Sequence, residues 1–298
     1  EALYQITVSW FMQDKLIIGA RASTLLFNYL VTIKNRIGSG IFILPANVCP
    51  IVPVTFLKAR INFEFMDISK QDYCIDKKTL KERVKMENKI KGVLFVRSYG
   101  YLENLNNFFS TLKVLNPNLI LIDDRCLCVP TFSINQISTN ADMTLFSTGY
   151  SKYVELHRGG FAFLKDKWSY KEFIETYKEE DHSVLVSKMN ESILENRSFS
   201  FHDSDWLEYE HQLELKEYQE TIIEKIEQVK IHKSKINKIY SDYLPKEIQV
   251  ESKFNNWRFN IFVDNKNTII KELFEKKLFG SSHYSPISHL FGGGLSLN

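Results

Sequence analysis

Four short and mainly apolar runs, continuous and not alternating with polar residues, restrict the possible fold of this 298-residue chain more than any other feature. A strand that is apolar at successive positions is buried on both faces, which is typical of a parallel sheet covered by helices on both sides. We therefore predict buried strands and an α/β fold. The four runs are Ile41–Leu44, Val93–Val96, Leu119–Ile122 and Thr144–Phe146.

Helical patterns lie between these runs. Strands separated by helices of this length imply right-handed parallel crossovers. One helix is expected to begin after Asp76, a residue type that caps helices, and another to end at Asn116-Pro117. The predicted helices are Ser23–Lys34, Pro50–Ala59, Lys77–Lys85 and Asn104–Leu115.

The sequence after Lys167 is charged and helical. An apolar stripe with helical spacing runs from residue 215 to 243 and ends before Pro245, which predicts one long helix packed on its own domain. Beyond it we predict a strand, a helix and a strand. We therefore expect a large domain at residues 1–244 and a small C-terminal α+β domain at residues 245–298. The three small-domain elements are Arg258–Val263, Lys266–Lys277 and Phe279–His283.

Composition excludes several classes of function. The net charge is only +2, which offers no basic surface for nucleic acid or an anionic membrane, so small molecules or other protein chains are the expected partners. The four cysteines show neither metal-site spacing nor the density of a disulfide scaffold, and the histidines are scattered singly, so we expect a cytoplasmic protein without a metal. The uncharged run from Ile41 to Leu57 is interrupted by prolines and is too short for a membrane span.

Three candidate functional features lie where predicted strands end or a predicted helix begins. Asp123 and Asp124 end the LILIDD strand, where open α/β sheets bind ligands. Lys152 follows the strand end at Ser147, in a turn that leads to a Gly-Gly pair. Small residues at Ala22-Ser23 start a helix whose first N–H groups could bind a phosphate. Each feature alone is weak, since a single aspartate here is more often a helix cap and Lys152 is one of 38 basic residues.

Taken together, these features match the needs of pyridoxal phosphate. This cofactor requires a lysine amine for a Schiff base, an aspartate on its pyridinium nitrogen and a phosphate site. Lys152, Asp124 and the Ala22-Ser23 helix start could supply all three, and Ser147 could add a hydroxyl.

The order and spacing of several segments resemble one known family. These segments are RASTLL, LPANVCP, FMDI with YCID, LIDD, FSTGYSK, HRGGFAF, and RFNIFV with SSHYSP. The chain resembles the DegT/DnrJ/EryC1/StrS group of sugar aminotransferases, which are pyridoxal-phosphate enzymes with the aspartate aminotransferase fold. The resemblance implies a three-layer fold with a mostly parallel central sheet and a smaller C-terminal α+β domain. Similar proteins usually continue beyond SSHYSPIS, so we expect a final segment to be missing from this sequence.

The resemblance also implies roles for individual residues. Lys152 would hold the cofactor as a Schiff base and then act as the general base. Asp124 would pair with the pyridinium nitrogen, while Ala22, Ser23 and Ser147 would bind the phosphate. The glycine pair at 159 and 160 would let the returning strand pass close to the cofactor.

The chain departs from the family pattern at three positions. Leu127 stands where the family commonly has a glutamine that contacts the ring hydroxyl. Cys49 stands where an aromatic residue often stacks on the ring, and Arg158 replaces a glutamate beside the glycine pair. These departures put ordinary transamination in doubt without removing the cofactor prediction.

The implied activity is transfer of an amino group from glutamate to a nucleotide-linked keto sugar, in cell-surface polysaccharide or secondary-metabolite biosynthesis. The resemblance also implies a homodimer. A related group that dehydrates sugars has histidine in the place of Lys152, which argues against dehydration. Two alternatives stay open: a pyridoxal-phosphate enzyme acting on a non-sugar substrate, and a non-catalytic dimeric descendant of the family.

Overall fold

One mixed seven-stranded sheet forms the centre of the protein. The computed structural model describes residues 16–166, 170–211, 213–282 and 287–292. The strands follow the order β1-β7-β6-β5-β4-β2-β3, in which β7 runs antiparallel to β1 and β6 and every other pairing is parallel. Their bounds are β1 Leu16–Gly19, β2 Ile41–Pro45, β3 Asn62–Met66, β4 Ile90–Val96, β5 Ile120–Asp124, β6 Met143–Ser147 and β7 Gly160–Leu164.

Helices cover both faces of the sheet. Alternate residues along the strands face opposite layers, so Ile122 packs with α1 and α2 whereas Leu121 packs with α3 and α4. Tyr218 and Ile222 of α6 pack against Phe146 and its neighbours. The helices of the described residues are α1 Ala22–Ile37, α2 Ile51–Ala59, α3 Lys77–Met86, α4 Asn106–Leu115, α5 Glu179–Leu194, α6 Leu215–Tyr243 and α7 Lys266–Glu275. The predicted three-layer α/β architecture is confirmed.

All four continuous apolar runs form strands, and the four predicted helices between them form within a few residues of their predicted ends. The run from Ile41 to Leu57 divides between β2 and α2. In the part of the chain that the structure describes, no helix combines the length and the apolar composition needed to cross a membrane. Asp76 caps α3 as expected, since its side chain accepts a hydrogen bond of 2.7 Å from the backbone N–H of Thr79.

Two edge strands were not predicted. β1 has only four residues, and β3 begins with an exposed Asn62 and carries Glu64 between two phenylalanines. β1 is apolar but very short, whereas the polar residues of β3 interrupt the continuous apolar pattern that identifies central strands.

The two predicted C-terminal strands are wrong over the described residues. Within Arg258–Val263 only Ile261 pairs, in an isolated bridge with Gln249, and residues 279–282 form no strand. Phe262 and Phe279 are largely exposed, so neither belongs to the core that the described residues form. His283 lies outside the described residues. The helix between them is confirmed as α7, and α6 ends at Tyr243 as expected, while the domain boundary after residue 244 stays a prediction.

Candidate active site

A cavity of about 340 Å³ lies beside the carboxyl ends of β5 and β6 and the N-terminal ends of α1 and α2. Its far wall comes from the start of α5 and from residues 206–208. Six of the seven predicted site residues line it, and Leu127 does not. The six are Ala22, Ser23, Cys49, Asp124, Ser147 and Lys152.

Asp123 and Asp124 point to opposite sides of β5, because successive side chains of a strand alternate. Asp123 lies outside the cavity lining and is fully buried between Arg97 and Arg125, with N–O distances of 2.7 and 2.8 Å. These two guanidinium groups hold the pKa of Asp123 below its usual value, although burial alone would raise it. Asp124 faces the cavity.

The carboxylate of Asp124 has few partners within the protein. Oδ1 accepts a hydrogen bond of 2.9 Å from the backbone N–H of Cys126. Burial raises the pKa of Asp124 above its usual value, while the Cys126 hydrogen bond and the positive charge of Lys152 act in the opposite direction. An added cation in the cavity would therefore favour the ionised carboxylate.

Lys152 lies in a turn between β6 and β7 that backbone hydrogen bonds close. The N–H of Thr148 donates to the carbonyl of Gly159 at 3.2 Å, and the N–H of Leu156 donates to the carbonyl of Thr148 at 2.8 Å. Ser151, the residue before Lys152, adopts a left-handed conformation with φ of 59°. The side chain of Lys152 is half-buried, and its amine forms no hydrogen bond or ion pair with any residue that the structure describes. The amine is thus available to a ligand.

The glycine pair packs against protein and is not among the residues that line the cavity. A Cβ atom on Gly160 would lie 2.6 Å from the backbone nitrogen of Ala22, and one on Gly159 would lie 2.6 Å from the hydroxyl of Tyr218. Gly159 also has φ of 85°, a conformation that favours glycine. The pair therefore allows β7 to pass close to the start of α1, which forms the cavity wall.

The start of α1 lies beside Ser147 at one side of the cavity. Arg21, the N-cap residue, makes no side-chain hydrogen bond to the helix, and the first N–H groups of an α-helix have no acceptor within it. Ser147 lies nearby with a buried hydroxyl, whose oxygen accepts a hydrogen bond of 3.3 Å from Gly149 N–H. Ala22, Ser23 and Ser147 are therefore brought together around one side of the cavity.

Two of the three departures from the family pattern lie away from the cavity interior. The backbone of Leu127 lies under Gly100, where a Cβ atom would be only 2.5 Å from the Leu127 carbonyl oxygen. Arg158 is exposed. Cys49 is an exposed residue of the cavity lining, with no aromatic ring in its place.

Sequence reasoning missed the residues that join the two walls of the cavity. Arg21 donates from Nε to Glu208 at 2.7 Å and from Nη1 to the carbonyl of His157 at 2.6 Å. His182 and Trp206 also line the cavity. Partial burial and the positive charge of Arg21 lower the pKa of His182. Only Arg21, beside the predicted helix start, carried a signal in the sequence.

No protein-family model matches the chain, and no curated protein matches it by sequence. Solved structures share its fold. The sugar aminotransferase CalS13 from Micromonospora echinospora is 15% identical over 93% of this chain and 76% of its own, with a TM-score of 0.60. A DegT/DnrJ/EryC1/StrS aminotransferase from Brucella abortus is 14% identical over 96% of this chain and 76% of its own, with a TM-score of 0.60.

A third similar structure is a sugar dehydratase. Escherichia coli GDP-4-keto-6-deoxy-D-mannose-3-dehydratase, with bound hydrated PLP, is 17% identical over 93% of this chain and 76% of its own, with a TM-score of 0.58. At such identities the likeness establishes the fold, and it confirms the fold to which the sequence motifs pointed.

The opposite pKa shifts of the two aspartates predict opposite effects of amide substitution on stability in the protein without a ligand. The pKa of Asp123 is lowered, so its stabilising contribution is present above the ordinary value of 3.8 and is lost as the pH falls through the lowered value. Asp123→Asn should cost about 3–5 kcal/mol at neutral pH, because two buried guanidinium groups lose their charge partner, and less as the pH falls.

The pKa of Asp124 is raised, so its stabilising contribution is full below 3.8 and is lost as the pH rises through the raised value. Asp124→Asn should therefore match the parent near pH 4 and become the more stable protein as the pH rises. Urea unfolding of both variants across this pH range measures these differences. A loss of stability in Asp124→Asn that grows with pH would contradict this assignment.

Proposed function

We propose that the protein binds pyridoxal phosphate and transfers an amino group to a nucleotide-linked keto sugar, with glutamate as the amino donor. The observation that carries this proposal is the pairing of two groups in one cavity. The amine of Lys152 has no partner among the described residues, and the buried carboxylate of Asp124 faces the same space.

The residues present fit this cofactor. A protonated pyridinium nitrogen is a cation, and it would offset the burial that raises the pKa of Asp124. The N-terminal amides of α1 and the hydroxyl of Ser147 would hold the phosphate, since a helix N-terminus favours anions. Trp206 lines the same cavity, and its Nε1 is buried without an acceptor among the described residues. When bound, pyridoxal phosphate supplies an electron sink for a carbanion formed beside the amino group.

Lys152 would have two tasks in turnover. It would first hold the cofactor covalently, and its freed amine would then move a proton at the substrate carbon. Asp124 would keep the ring nitrogen protonated through a charge-assisted hydrogen bond. The side chains opposite, at the start of α5 and at residues 206–208, would contact the substrate, because they form the far wall of the cavity.

The names of the structural neighbours support a sugar substrate, since they include a sugar aminotransferase and a dehydratase that acts on a GDP-linked keto sugar. We favour amino transfer over dehydration because the residue at the cofactor position is Lys152 and not histidine. We also propose a homodimer in the cytoplasm, with residues after 244 as a smaller domain. Exposed apolar residues along α6, such as Ile223 and Ile231, offer a surface for the dimer.

Replacement of Lys152 tests the cofactor assignment. Lys152→Ala should abolish the visible absorbance of protein mixed with pyridoxal phosphate, and it should remove the adduct that borohydride fixes on the parent protein. The free energy of unfolding should change by less than about 0.5 kcal/mol, because the amine forms no hydrogen bond or ion pair with the described residues.

The control for this experiment is Lys165→Ala, which removes an exposed lysine just after β7 and should leave the adduct in place. Peptide mapping by mass spectrometry locates the modified lysine. A stoichiometric adduct that persists in Lys152→Ala would show that another lysine holds the cofactor.

Replacement of the two aspartates tests the proposed contact between Asp124 and the ring nitrogen of pyridoxal phosphate. Asp124→Asn should weaken pyridoxal phosphate binding by about 10- to 150-fold, which corresponds to the loss of a charge-assisted hydrogen bond of about 1.5–3 kcal/mol. Asp123→Asn should retain most of the affinity, since its carboxylate faces away from the cavity. Titrations are compared at a temperature at which circular dichroism shows both variants folded. A larger loss of affinity in Asp123→Asn would reverse the roles of the two carboxylates.

A panel of donors and acceptors tests the reaction itself. Protein loaded with the cofactor should lose its absorbance band on addition of glutamate, and a nucleotide-linked keto sugar should restore it. The same sugar without the nucleotide should restore it more slowly, because it loses binding energy remote from the reacting carbon. A cofactor band that no amino donor changes would favour a binding protein that has kept the site without the activity.

A further inference from the structure

Trp257, in the segment that follows α6, is bonded to the turn that carries Lys152. Its indole Nε1 donates a hydrogen bond of 2.8 Å to the carbonyl oxygen of Ser151, the residue immediately before Lys152. The Trp257 side chain is 3% exposed, so it is a fixed element of the fold. Ser151, by contrast, is exposed and has φ of 59°, which serine adopts only when other contacts hold it there.

Trp257 also contacts the turn on the other side of β5. A Cβ atom on Gly100 would lie 3.3 Å from the Cβ atom of Trp257, and Asn256 Nδ2 donates a hydrogen bond of 3.4 Å to the carbonyl of Gly100. The Gly100 turn follows β4, and the Ser151 turn follows β6. Because β5 lies between these two strands, the Trp257 segment connects the turns on both sides of the strand that ends in Asp124.

Trp257 is itself held in place from two directions. Lys233 of α6 donates a hydrogen bond from Nζ to the carbonyl of Trp257, and the same ammonium lies 5.3 Å from the ring centroid of Tyr153. The guanidinium carbon of Arg258 lies 4.5 Å from the centroid of the indole. The backbone of Trp257 is therefore held by Lys233, and the face of its indole is covered by Arg258.

We propose that Trp257 is a positioning residue for Lys152. The indole N–H holds the backbone of Ser151 in its left-handed conformation, and this conformation directs the Lys152 amine into the cavity beside Asp124. The amine forms no hydrogen bond or ion pair with the described residues, so the conformation of its turn sets its location. The biological meaning of this positioning rests on the proposed role of Lys152, but the positioning itself can be measured without a cofactor.

The test compares Trp257→Phe with the parent in cofactor-free protein. Phenylalanine keeps an aromatic ring under Arg258 and removes only the N–H donor and part of the ring volume. Hydrogen exchange of the amides between residues 148 and 158 should become about 5-fold faster, as expected for the loss of one hydrogen bond of about 1 kcal/mol. The rate and the pH profile of Lys152 acetylation by acetic anhydride, followed by mass spectrometry, should change as well.

Two further variants separate positioning from general stability. Tyr170→Phe removes an aromatic hydroxyl that accepts a hydrogen bond of 3.2 Å from Asn28, away from this turn, and should leave both measurements unchanged. Trp257→His keeps a ring N–H and should retain slower exchange than Trp257→Phe. If Trp257→Phe fails to fold, Trp257→His is compared with the parent protein. The pH profile of Lys152 acetylation in Trp257→His should then be closer to the profile of the folded parent than to the profile of the parent unfolded in urea.

Unchanged exchange and unchanged Lys152 acetylation in folded Trp257→Phe would overturn the proposal. Equal changes in the phenylalanine and histidine variants would also overturn it, because they would assign the effect to ring volume and not to the N–H group. The reaction of the parent protein with pyridoxal phosphate is measured in a separate experiment. If the parent protein forms no adduct on Lys152, the proposed function is wrong. If Trp257→Phe nevertheless alters the acetylation of Lys152, the positioning role of Trp257 still holds.

Discussion

The carboxylate of Asp123 lies between the guanidinium groups of Arg97 and Arg125 beneath the floor of the cavity, and the placement of Asp124 depends on this arrangement. Arg97 follows β4 and Arg125 follows β5, so the ion pairs join the ends of adjacent strands. The backbone adds two links, from Arg97 N–H to the carbonyl of Asp124 and from Arg125 N–H to that of Leu145, at 2.9 and 2.8 Å. Fully buried charges are tolerated only when paired in this way, and here the pairing fixes which face of β5 each aspartate occupies.

Asp124 has no comparable partner, and this contrast is informative about function. A buried carboxylate with one backbone hydrogen bond lowers stability when it is ionised, and a neutral residue would fit this position at less energetic cost. Carboxyl groups with shifted pKa values cluster at functional sites, and the pKa of Asp124 is raised in a cavity. Asp124 and Lys152 line the same cavity, and the positive charge of Lys152 lowers the pKa of Asp124 against the larger effect of burial.

The parts of the structure that could be predicted depend on local sequence, and the parts that could not depend on distant contacts. The central strands carry continuous apolar runs, and Asp124, Ser147 and Lys152 follow directly from strand ends, so these were accessible from sequence. Glu208 reaches Arg21 across 187 residues of chain, and no periodicity or motif signals such a contact. The wrong C-terminal strands have the same origin, since an apolar run such as Arg258–Val263 forms a strand only if a partner strand is available.

One wall of the cavity is determined by the topology of the fold, and the opposite wall is determined by side-chain contacts particular to this chain. The floor and the α1 side are built by strand ends, a helix start and a turn, which any chain with this topology presents at the same edge of the sheet. The opposite wall depends on the ion pair of Arg21 with Glu208, which docks residues 206–208 against α1. Cys49 lines one side of the cavity without an aromatic ring, and the exposed aromatic side chains of the lining are Tyr150 and Tyr177. In the proposed function, the floor and the α1 side would hold the cofactor, whereas the wall that Arg21 and Glu208 join to α1 would contact the substrate.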